Sequence, residues 1–248
     1  MTDLFDLTGK VAIITGSTRG IGRGIAEAFV SAGASVVVSS ESADDTARAA
    51  SEIGAEGIAC DVTDSSSLAA LVDGTIVRFG GLDILVCNAG ITDKRGDSSV
   101  EDFDRVFAVN LRSQVALTNL ALPHLAARGG SIILIASIGG IRGNAAINAY
   151  ALAKAGVAQL ARNLAVQWGP KGVRTNAISP GLIRTGLIAN LPQDSDFMTR
   201  RMQMTPLRRM GDVAEVAGAA VFLASRAGGF VNGHNLVVDG GTVITDGS

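Results

Sequence analysis

Residues Val11 to Gly22 read VAIITGSTRGIG, a short apolar run that passes directly into three glycines. Val11–Thr15 is typical of a buried strand, Gly16–Gly22 of a turn, and Ile21–Ala32 of a helix. Glycines let the backbone approach a phosphate group while the free N–H groups at the start of the helix face it. Strand, turn and helix together therefore predict a dinucleotide-binding unit, although the spacing is G-x-x-x-G-x-G rather than the commoner G-x-G-x-x-G.

The alternation of strands and helices continues to the end of the chain. Runs rich in Val and Ile alternate with longer segments of helical periodicity, which is the pattern of a parallel sheet covered by helices on both faces. The predicted strands are Val11–Thr15, Ser35–Ser39, Gly57–Cys60, Asp83–Cys87, Ser131–Ile135, Val173–Ile178 and Asn235–Val238. The predicted helices are Ile21–Ala32, Ala43–Ile53, Ser65–Phe79, Val100–Ala127, Ala149–Trp168 and Asp212–Ala224. The sequence predicts one α/β domain over residues 1–248, a doubly wound Rossmann-type fold with a seven-stranded parallel sheet.

Composition and charge exclude several classes of function. The chain has 21 basic and 23 acidic side chains, and its Lys and Arg residues are scattered, so no basic patch suits nucleic acid. The longest strongly apolar stretch, 129–141, is shorter than the roughly 20 residues that span a bilayer, and the acidic N-terminus is unlike a signal peptide. Cys60, Cys87, His124 and His234 have no metal-ligand spacing. We therefore expect a cytoplasmic protein with no metal site, nucleic acid or membrane partner.

The segment around residues 182–210 departs from the regular pattern. It contains Met198, Met202 and Met204 without a clean period. Two interpretations are open, a surface excursion with a short helix or a lid that closes an apolar pocket. Ligands of open α/β sheets bind beyond the carboxyl ends of the strands, and this segment follows such an end. We therefore favour a substrate lid.

The residues at the end of the second predicted strand bear on which dinucleotide is bound. An acid there accepts a hydrogen bond from the ribose 2′-hydroxyl of NAD, and a base favours the 2′-phosphate of NADP. Ser40 and Glu41 stand at that position, and Arg19 lies in the glycine-rich turn. Glu41 would repel a phosphate and Arg19 would attract one. The sequence favours NAD and leaves NADP as the alternative.

A tyrosine and a lysine indicate acid–base chemistry. Tyr150 is the only tyrosine of the chain, and Lys154 follows four residues later in a predicted helix, so both project from one face. A tyrosine, whose ordinary pKa is about 10, acts as a base near neutrality only if its phenolate is stabilised, and a neighbouring ammonium does that. Ser137 follows the predicted strand Ser131–Ile135, in surroundings unlike those of a serine hydrolase. The spacing of Tyr150 and Lys154 alone favours a chance pairing over a catalytic site. Only further motifs make the catalytic interpretation the better one.

Those motifs occur in one order along the whole chain. They are the turn Thr15–Gly22, Asp61-Val62, Asn88-Ala89-Gly90, Asn110, Ser137, Tyr150-x-x-x-Lys154 and Pro180-Gly181 followed by Thr185. In this order and spacing the sequence resembles the classical short-chain dehydrogenase/reductase family over essentially its whole length. The resemblance implies an NAD- or NADP-dependent oxidoreductase that interconverts a secondary alcohol and a ketone. Cys87, where the family often has asparagine, and Ala153, where it often has serine, remove no group that this chemistry needs.

The same resemblance assigns roles to individual residues. It makes Tyr150 the general acid and base, lets Ser137 hydrogen-bond the substrate oxygen, and has Lys154 bind the nicotinamide ribose and lower the tyrosine pKa. Asn110 would hold a water that links the lysine to solvent. The expected cofactor-binding residues are Gly16, Ser17, Thr18, Arg19, Gly20, Ile21, Gly22, Ser40, Glu41, Asp61, Val62, Asn88, Ala89, Gly90, Tyr150, Lys154, Pro180, Gly181, Ile183 and Thr185. The expected substrate pocket is mostly apolar and consists of Ile91, Gly139, Ile141, Asn144, Ile147, Leu182 and Leu187.

The expected partners are a small alcohol or ketone and further copies of the chain. The predicted helix Ala149–Trp168 is apolar almost all round, so one side can cover the sheet and the other can contact another subunit. The resembled family usually forms tetramers through this helix and its neighbour, which implies a homotetramer with a second interface at the last strand. The identity of the substrate stays open, and Arg142 or Arg184 would alter the apolar character of the pocket if either turned inward.

Two other functions are open alternatives. The sequence also resembles a 3-oxoacyl-[acyl-carrier-protein] reductase, in which Arg128 and Lys171 would face the acidic carrier. Such enzymes normally use NADPH, so Glu41 argues against this alternative. The other is a dinucleotide-binding regulatory protein without catalysis, which could afford to lose the serine, tyrosine and lysine named above, yet all three are present.

Overall fold

The strands of this chain assemble in parallel, as their apolar sequences predict. The computed structural model describes residues 4–92, 99–143, 147–186 and 196–245. The strands are β1 (Val11–Thr15), β2 (Ser35–Ser39), β3 (Glu56–Gly57), β4 (Ile84–Cys87), β5 (Ser131–Ile135), β6 (Arg174–Pro180), β7 (Ile183–Arg184), β8 (Gly211–Asp212) and β9 (Asn235–Val238). Within the described residues, one parallel sheet has the order β3-β2-β1-β4-β5-β6-β9, and β7 pairs with β8 in a small second sheet.

Helices connect the strands and cover both faces of the main sheet. They are α1 (Gly20–Ser31), α2 (Ala43–Ile53), α3 (Ser65–Phe79), α4 (Val100–Phe107), α5 (Ser113–Ala126), α6 (Asn148–Trp168), α7 (Asp196–Gln203) and α8 (Val213–Ala224). α3, α5 and α6 pack on one face, and α1, α2 and α8 pack on the other. The predicted doubly wound fold with a seven-stranded parallel sheet is confirmed.

Successive side chains of each central strand fill the two cores in turn. Ile13 and Leu85 belong to the core under α3, α5 and α6, whereas their neighbours Ile14 and Val86 belong to the core under α1 and α8. All four are fully buried. Because helices cover both faces, these strands are continuous apolar runs and not alternating ones.

Three predicted elements differ from the structure by more than one residue at a boundary. The third strand is Glu56–Gly57 instead of Gly57–Cys60, because beyond Gly57 only isolated backbone bonds join the chain to β2, such as Ile58 N to Val38 O at 3.1 Å. The helix predicted over 100–127 is interrupted between α4 and α5 by a π-helical segment, Ala108–Arg112. β6 continues to Pro180, past the predicted end at Ile178.

Candidate active site

The glycine-rich turn leads into a helix whose first N–H groups have no side-chain cap. Arg19 occupies the N-cap of α1 without a capping hydrogen bond, and the first turn of the helix carries no acid. Ser42 and Asp64, by contrast, cap α2 and α3 through side-chain oxygens. Uncapped N–H groups at a helix start carry partial positive charge and bind phosphate. Gly16 and Gly20 have φ angles of +60° and +58°, which side-chain-bearing residues rarely adopt. The turn therefore fits the pyrophosphate of a dinucleotide.

Asn88, at the end of β4, holds this turn in shape. Its Nδ2 donates to the carbonyl oxygens of Thr15 at 3.0 Å and Gly16 at 2.8 Å. A Cβ atom on Gly22 would lie 2.3 Å from that Nδ2, so only glycine lets the helix start approach so closely. Thr15 Oγ1 in turn accepts from the backbone N–H groups of Asn88 and Ala89 at 3.1 and 3.2 Å. The Asn88-Ala89-Gly90 motif and the glycine-rich turn are thus one hydrogen-bonded unit.

Ser17 joins the same turn to β2. Its hydroxyl donates to Ile14 O at 2.6 Å and accepts from Ser39 N at 2.9 Å, and its own N–H donates to Ser39 O at 3.1 Å. The residue is fully buried. Of the expected cofactor residues, Ser17 therefore braces the turn from inside, whereas Thr18 and Ile21 are partly exposed.

The end of β2 carries the groups that distinguish the two dinucleotides. Glu41 and Arg19 are both exposed, and the Ser40 hydroxyl lies 3.0 Å from Thr46 Oγ1. The Arg48 guanidinium and, to a smaller extent, the charge of Arg19 lower the pKa of Asp45. Arg19 therefore lies near the first turn of α2, on the same side of the cleft as Glu41. Both exposed side chains can reach a ligand bound beside the end of β2.

The loop after β3 contributes the next expected residues. The carboxylate of Asp61 accepts from the N–H and the hydroxyl of Thr63, both at 2.8 Å. Asp61 is exposed and Val62 partly exposed, at the same sheet edge as the glycine-rich turn. Both remain available to an adenine ring.

Ser137 and Tyr150 meet at the carboxyl end of β5. Their side chains are hydrogen-bonded to each other, and Ser137 Oγ also accepts from Gly139 N at 3.0 Å. Burial raises the pKa of Tyr150, and the bond from Ser137 opposes that rise. A Cβ atom on Gly139 would lie 3.4 Å from Ser137 Oγ and 3.5 Å from Tyr150 Cε1. Gly139 thus lies against the side chains of Ser137 and Tyr150.

Lys154 lies beneath the tyrosine and is almost completely buried, with 3% of its surface exposed. Its ammonium donates to Ile135 O at 2.6 Å and lies 5.7 Å from the centroid of the Tyr150 ring. Burial lowers the pKa of Lys154 to about 8, and the buried Cys87 thiol, whose own pKa burial raises to about 12, lies close by. In the described residues no carboxylate pairs with this ammonium. At neutral pH it places a positive charge beside the phenol.

Asn110 lies in the π-helical segment and is fully buried. Its Oδ1 accepts from Ile91 N at 2.8 Å and its Nδ2 donates to Ile91 O at 2.7 Å, while its backbone carbonyl accepts from Gln114 Nε2. A Cβ atom on Gly90 would lie 3.1 Å from Asn110 Oδ1 and 3.5 Å from Lys154 Nζ. The missing side chain of Gly90 therefore leaves open the space between the asparagine and the lysine.

The segment after β6 closes the cofactor side of the cleft. Pro180 is buried, and Gly181 lies against Asp239, because a Cβ atom on this glycine would be 2.7 Å from Asp239 Cβ. Ile183 is 4% exposed in β7. Thr185 Cγ2 would be 3.6 Å from a Cβ on Gly20, so it faces the start of α1. This segment thus brings the chain from the end of β6 to the start of α1.

The expected substrate pocket is described only in part. Asn144 and Leu187 lie outside the described residues. Ile147 Cδ1 would be 3.4 Å from a Cβ on Gly139, so it belongs beside the hydroxyl pair, whereas Ile141 is 43% exposed. The positions Ile91 and Leu182 are both partly exposed.

Arg142 and Arg184, which would make the pocket less apolar if they turned inward, have different surroundings. Arg184 pairs with Asp212 at 3.4 Å and is more than half exposed, so it does not enter the pocket. Arg142 Nη1 donates to Thr242 O at 2.9 Å and lies close enough to Arg201 for its charge to lower the pKa of that residue, after the larger effect of burial. Arg201 has no sequence signal, because the methionine-rich segment that carries it contains no motif.

The described ranges hold neither a cluster of metal ligands nor a helix that could span a membrane. Within them, no three His, Cys, Asp or Glu side chains converge as metal ligands. Of the helices that the structure describes, none is long and apolar enough to cross a bilayer.

Comparison with known proteins agrees with this geometry. A family model described as enoyl-(acyl carrier protein) reductase matches residues 16–243. The chain is 41% identical over 240 residues to cis-4-hydroxycyclohexanecarboxylate dehydrogenase of Sinomonas cyclohexanicum, which covers 94% of this chain and 96% of that protein. It is 40% identical over 249 residues to 7alpha-hydroxysteroid dehydrogenase of Escherichia coli (strain K12), covering 98% and 97%. A solved structure of 7alpha-hydroxysteroid dehydrogenase with NADH and 7-oxo glycochenodeoxycholic acid superposes with a TM-score of 0.91 at 39% identity, covering 97% of each chain. In fold and in sequence over nearly its whole length, the chain belongs to the classical short-chain dehydrogenase/reductase family.

Proposed function

We propose that this protein is an NAD(P)-dependent oxidoreductase that interconverts a secondary alcohol and a ketone at Ser137, Tyr150 and Lys154. One observation carries the proposal: a buried lysine, which has no carboxylate partner among the described residues, lies beside a tyrosine that is hydrogen-bonded to a serine. This cluster stands at the carboxyl edge of the sheet, where the uncapped start of α1 also lies. The named relatives are dehydrogenases of hydroxyl-bearing compounds, which agrees with this class of reaction.

Tyr150 moves the proton in this reaction. When a ketone is reduced, the hydroxyl of Tyr150 gives a proton to the substrate oxygen. When an alcohol is oxidised, the phenolate of Tyr150 takes the proton of the alcohol. A bound nicotinamide supplies or accepts the hydride. Ser137, already hydrogen-bonded to Tyr150, donates to the same oxygen and holds it in line with the phenol.

The positive charge of Lys154 favours the phenolate of Tyr150 and so opposes the rise that burial causes in the tyrosine pKa. Burial alone raises the pKa of Tyr150, so the residue needs a positive charge nearby before it can act as a base. A unit charge about 6 Å away stabilises a phenolate by about 3 kcal/mol at an effective dielectric constant of about 20. The side chain of Asn110 fixes the backbone at Ile91, and the open space at Gly90 would accept the water that links the lysine to solvent.

The experiment that tests this function is Tyr150→Phe. The substitution removes the proton donor and keeps the ring, so we expect kcat with a panel of ring ketones to fall by roughly 10²- to 10⁴-fold. Binding of the reduced dinucleotide, followed by nicotinamide fluorescence, should remain close to that of the unaltered enzyme. Unchanged turnover in the variant would contradict the assignment.

For the cofactor, we infer that NAD is preferred. Glu41 stands exposed at the end of β2 beside Ser40, where it can accept a hydrogen bond from a ribose hydroxyl and repels a phosphate. Separate titrations with NADH and NADPH, followed by the quench of Trp168 fluorescence, test this inference. Tighter NADH binding that Glu41→Ala weakens supports it. Tighter NADPH binding that Arg19→Ala weakens would assign NADP instead.

Carrier-protein reduction has little support from the expected basic residues. Arg128 donates to the buried Asp83 and to Gly80 O, and the Lys171 ammonium lies 4.0 Å from the centroid of the Trp168 ring. Both precede strands, so they lie at the amino edge of the sheet, opposite Tyr150. A carrier that delivers its acyl group to the site would dock at the other edge.

We also infer that residues 182–210 form a lid over the substrate pocket; of these, residues 187–195 lie outside the described residues. We further infer that the chain forms a homotetramer. Apolar side chains remain exposed on α5 and α6 and near the last strand. They are Val115, Leu120, Leu152, Val166, Phe230, Val237 and Ile244. Such a surface suits contact between subunits. Light scattering at micromolar concentration checks this, and a 25.2 kDa particle would contradict it.

A further inference from the structure

Two arginines approach each other at the substrate side of the sheet. Arg142 follows the short 3₁₀ helix Ile138–Gly140, which begins directly after Ser137, and its N–H donates to Ile138 O at 3.1 Å. Arg201 lies on α7, with its guanidinium carbon 5.7 Å from the centroid of the Phe197 ring. One arginine is thus attached to the loop of the catalytic serine, and the other comes from the segment that follows β7.

One loop after β9 holds both of them. Thr242 O accepts from Arg142 Nη1 at 2.9 Å, and Thr242 Oγ1 lies 3.0 Å from Thr205 Oγ1. Thr205 Oγ1 also donates to Arg201 O at 2.9 Å, one turn back along α7. Both threonines are 4% exposed, so this joint is buried. These contacts fix the guanidinium of Arg142 and tie the backbone of Arg201 to the same loop.

Their charges are not balanced within the part of the chain that the structure describes. There, other arginines have acidic partners, such as Arg184 with Asp212 and Arg209 with Glu215, but neither Arg142 nor Arg201 forms an ion pair. Burial and then the charge of Arg142 lower the pKa of Arg201. Among the described residues, the buried Arg201 Nε has no hydrogen-bond partner. A buried donor without an acceptor, next to a second cation, is costly unless an anion completes it.

We propose that Arg142 and Arg201 bind a carboxylate group of the substrate. This rests on the function proposed above and narrows it to hydroxy and keto acids. Arg142 keeps donors beyond the one given to Thr242 O, and Arg201 offers the free Nε–H, so a planar anion with two oxygens can bridge them. Because Arg142 is only a few residues from Ser137, a carboxylate held there anchors one end of a molecule whose reacting oxygen lies at Tyr150.

A kinetic comparison tests the proposal with 4-oxocyclohexanecarboxylate and its methyl ester as probes, with NADH or NADPH present. We expect the enzyme to prefer the carboxylate by about tenfold in kcat/KM, and Arg142→Met or Arg201→Met to abolish the preference, as loss of one charged hydrogen bond predicts. Arg200→Met is the matched control, because it removes the same charge from an exposed neighbour on α7 and should leave the preference intact. An equal preference in all three variants would overturn the proposal.

A binding measurement separates this proposal from the catalytic one. Calorimetry compares cyclohexanecarboxylate with cyclohexanecarboxamide on the Tyr150→Phe enzyme with reduced dinucleotide bound, where turnover plays no part. Tighter binding of the carboxylate, lost when Arg201→Met is added, supports the arginine site even if Tyr150 is not the acid. No difference between the two probes, or inorganic phosphate competing as tightly as the carboxylate, would overturn it.

Discussion

Both edges of the sheet bury a charged side chain, but within the described ranges only one of these charges has partners of opposite charge. At the amino edge, Asp83 is 5% exposed and accepts from Lys10 Nζ at 3.2 Å, Arg128 Nη1 at 3.1 Å and Val11 N at 3.0 Å. At the carboxyl edge, the ammonium of Lys154 is equally buried but has a carbonyl oxygen as its hydrogen-bond acceptor among the described residues. A buried charge with full partners ties strands together, whereas one with incomplete partners is costly and marks a functional group.

The largest expected effect comes from removing the unpaired charge. Lys154→Met keeps the length and apolar stem of the side chain but takes the cation away from Tyr150. We expect kcat/KM to fall by roughly a hundredfold, since the charge stabilises the phenolate by about 3 kcal/mol. The same variant should unfold at a temperature higher by about 3 °C, because the cost of burying an ammonium disappears.

Steady-state kinetics and calorimetric melting of the same preparations measure both changes. Lys10→Met is the matched control, since Lys10 is 46% exposed at the opposite edge, and it should change neither activity nor melting temperature by much. A Lys154→Met protein that is both active and less stable would show that the lysine is structural, like Asp83.

Removing the paired charge should have the opposite signature. Asp83→Asn keeps the shape but leaves Lys10 and Arg128 without a carboxylate and weakens the bond from Val11 N. Both cations are partly exposed and can regain water, so we expect a loss of about 2 kcal/mol in the free energy of unfolding. Urea denaturation measures it. The kcat of the folded variant should match the parent, and a large drop in kcat would mean that the two edges are coupled.

The sequence predicts the sheet well because its signals are local. Ile13 and Ile14 are buried on opposite faces, and that double burial is visible as an uninterrupted apolar run. The same local signal gives the wrong bounds for the third strand. Ile58 and Cys60 are apolar and so predict a strand at 57–60, but the chain there makes only isolated bonds to β2. An apolar run indicates burial, but a ladder also needs a continuous register with its neighbour.

The site is less predictable where it depends on contacts distant in sequence. Tyr150 and Lys154 are found by their spacing on one helix, whereas the acceptor of the lysine, Ile135 O, is a backbone atom that no motif reveals. Arg201 comes near Arg142 where Thr205 and Thr242 join α7 to the loop after β9. Such a meeting is a property of tertiary structure and has no local signal.

The smallest expected effect is a pH dependence of the free energy of unfolding, which should differ between the Lys154 and the Asp83 variants. In the unfolded chain Lys154 has its ordinary pKa of 10.5, and in the folded chain burial lowers that pKa to about 8. Between these values the unfolded state binds more protons, so rising pH stabilises the folded parent but not Lys154→Met. The stability advantage of the variant should be complete below about pH 7 and shrink by about 1 kcal/mol between about pH 8 and about pH 9. Urea denaturation of both proteins across this range measures the difference. Because Asp83→Asn keeps Lys154, its loss in free energy of unfolding relative to the parent should stay constant over the same pH range. If the stability gain of Lys154→Met does not change with pH, the substitution does not act by removing the cost of the buried ammonium.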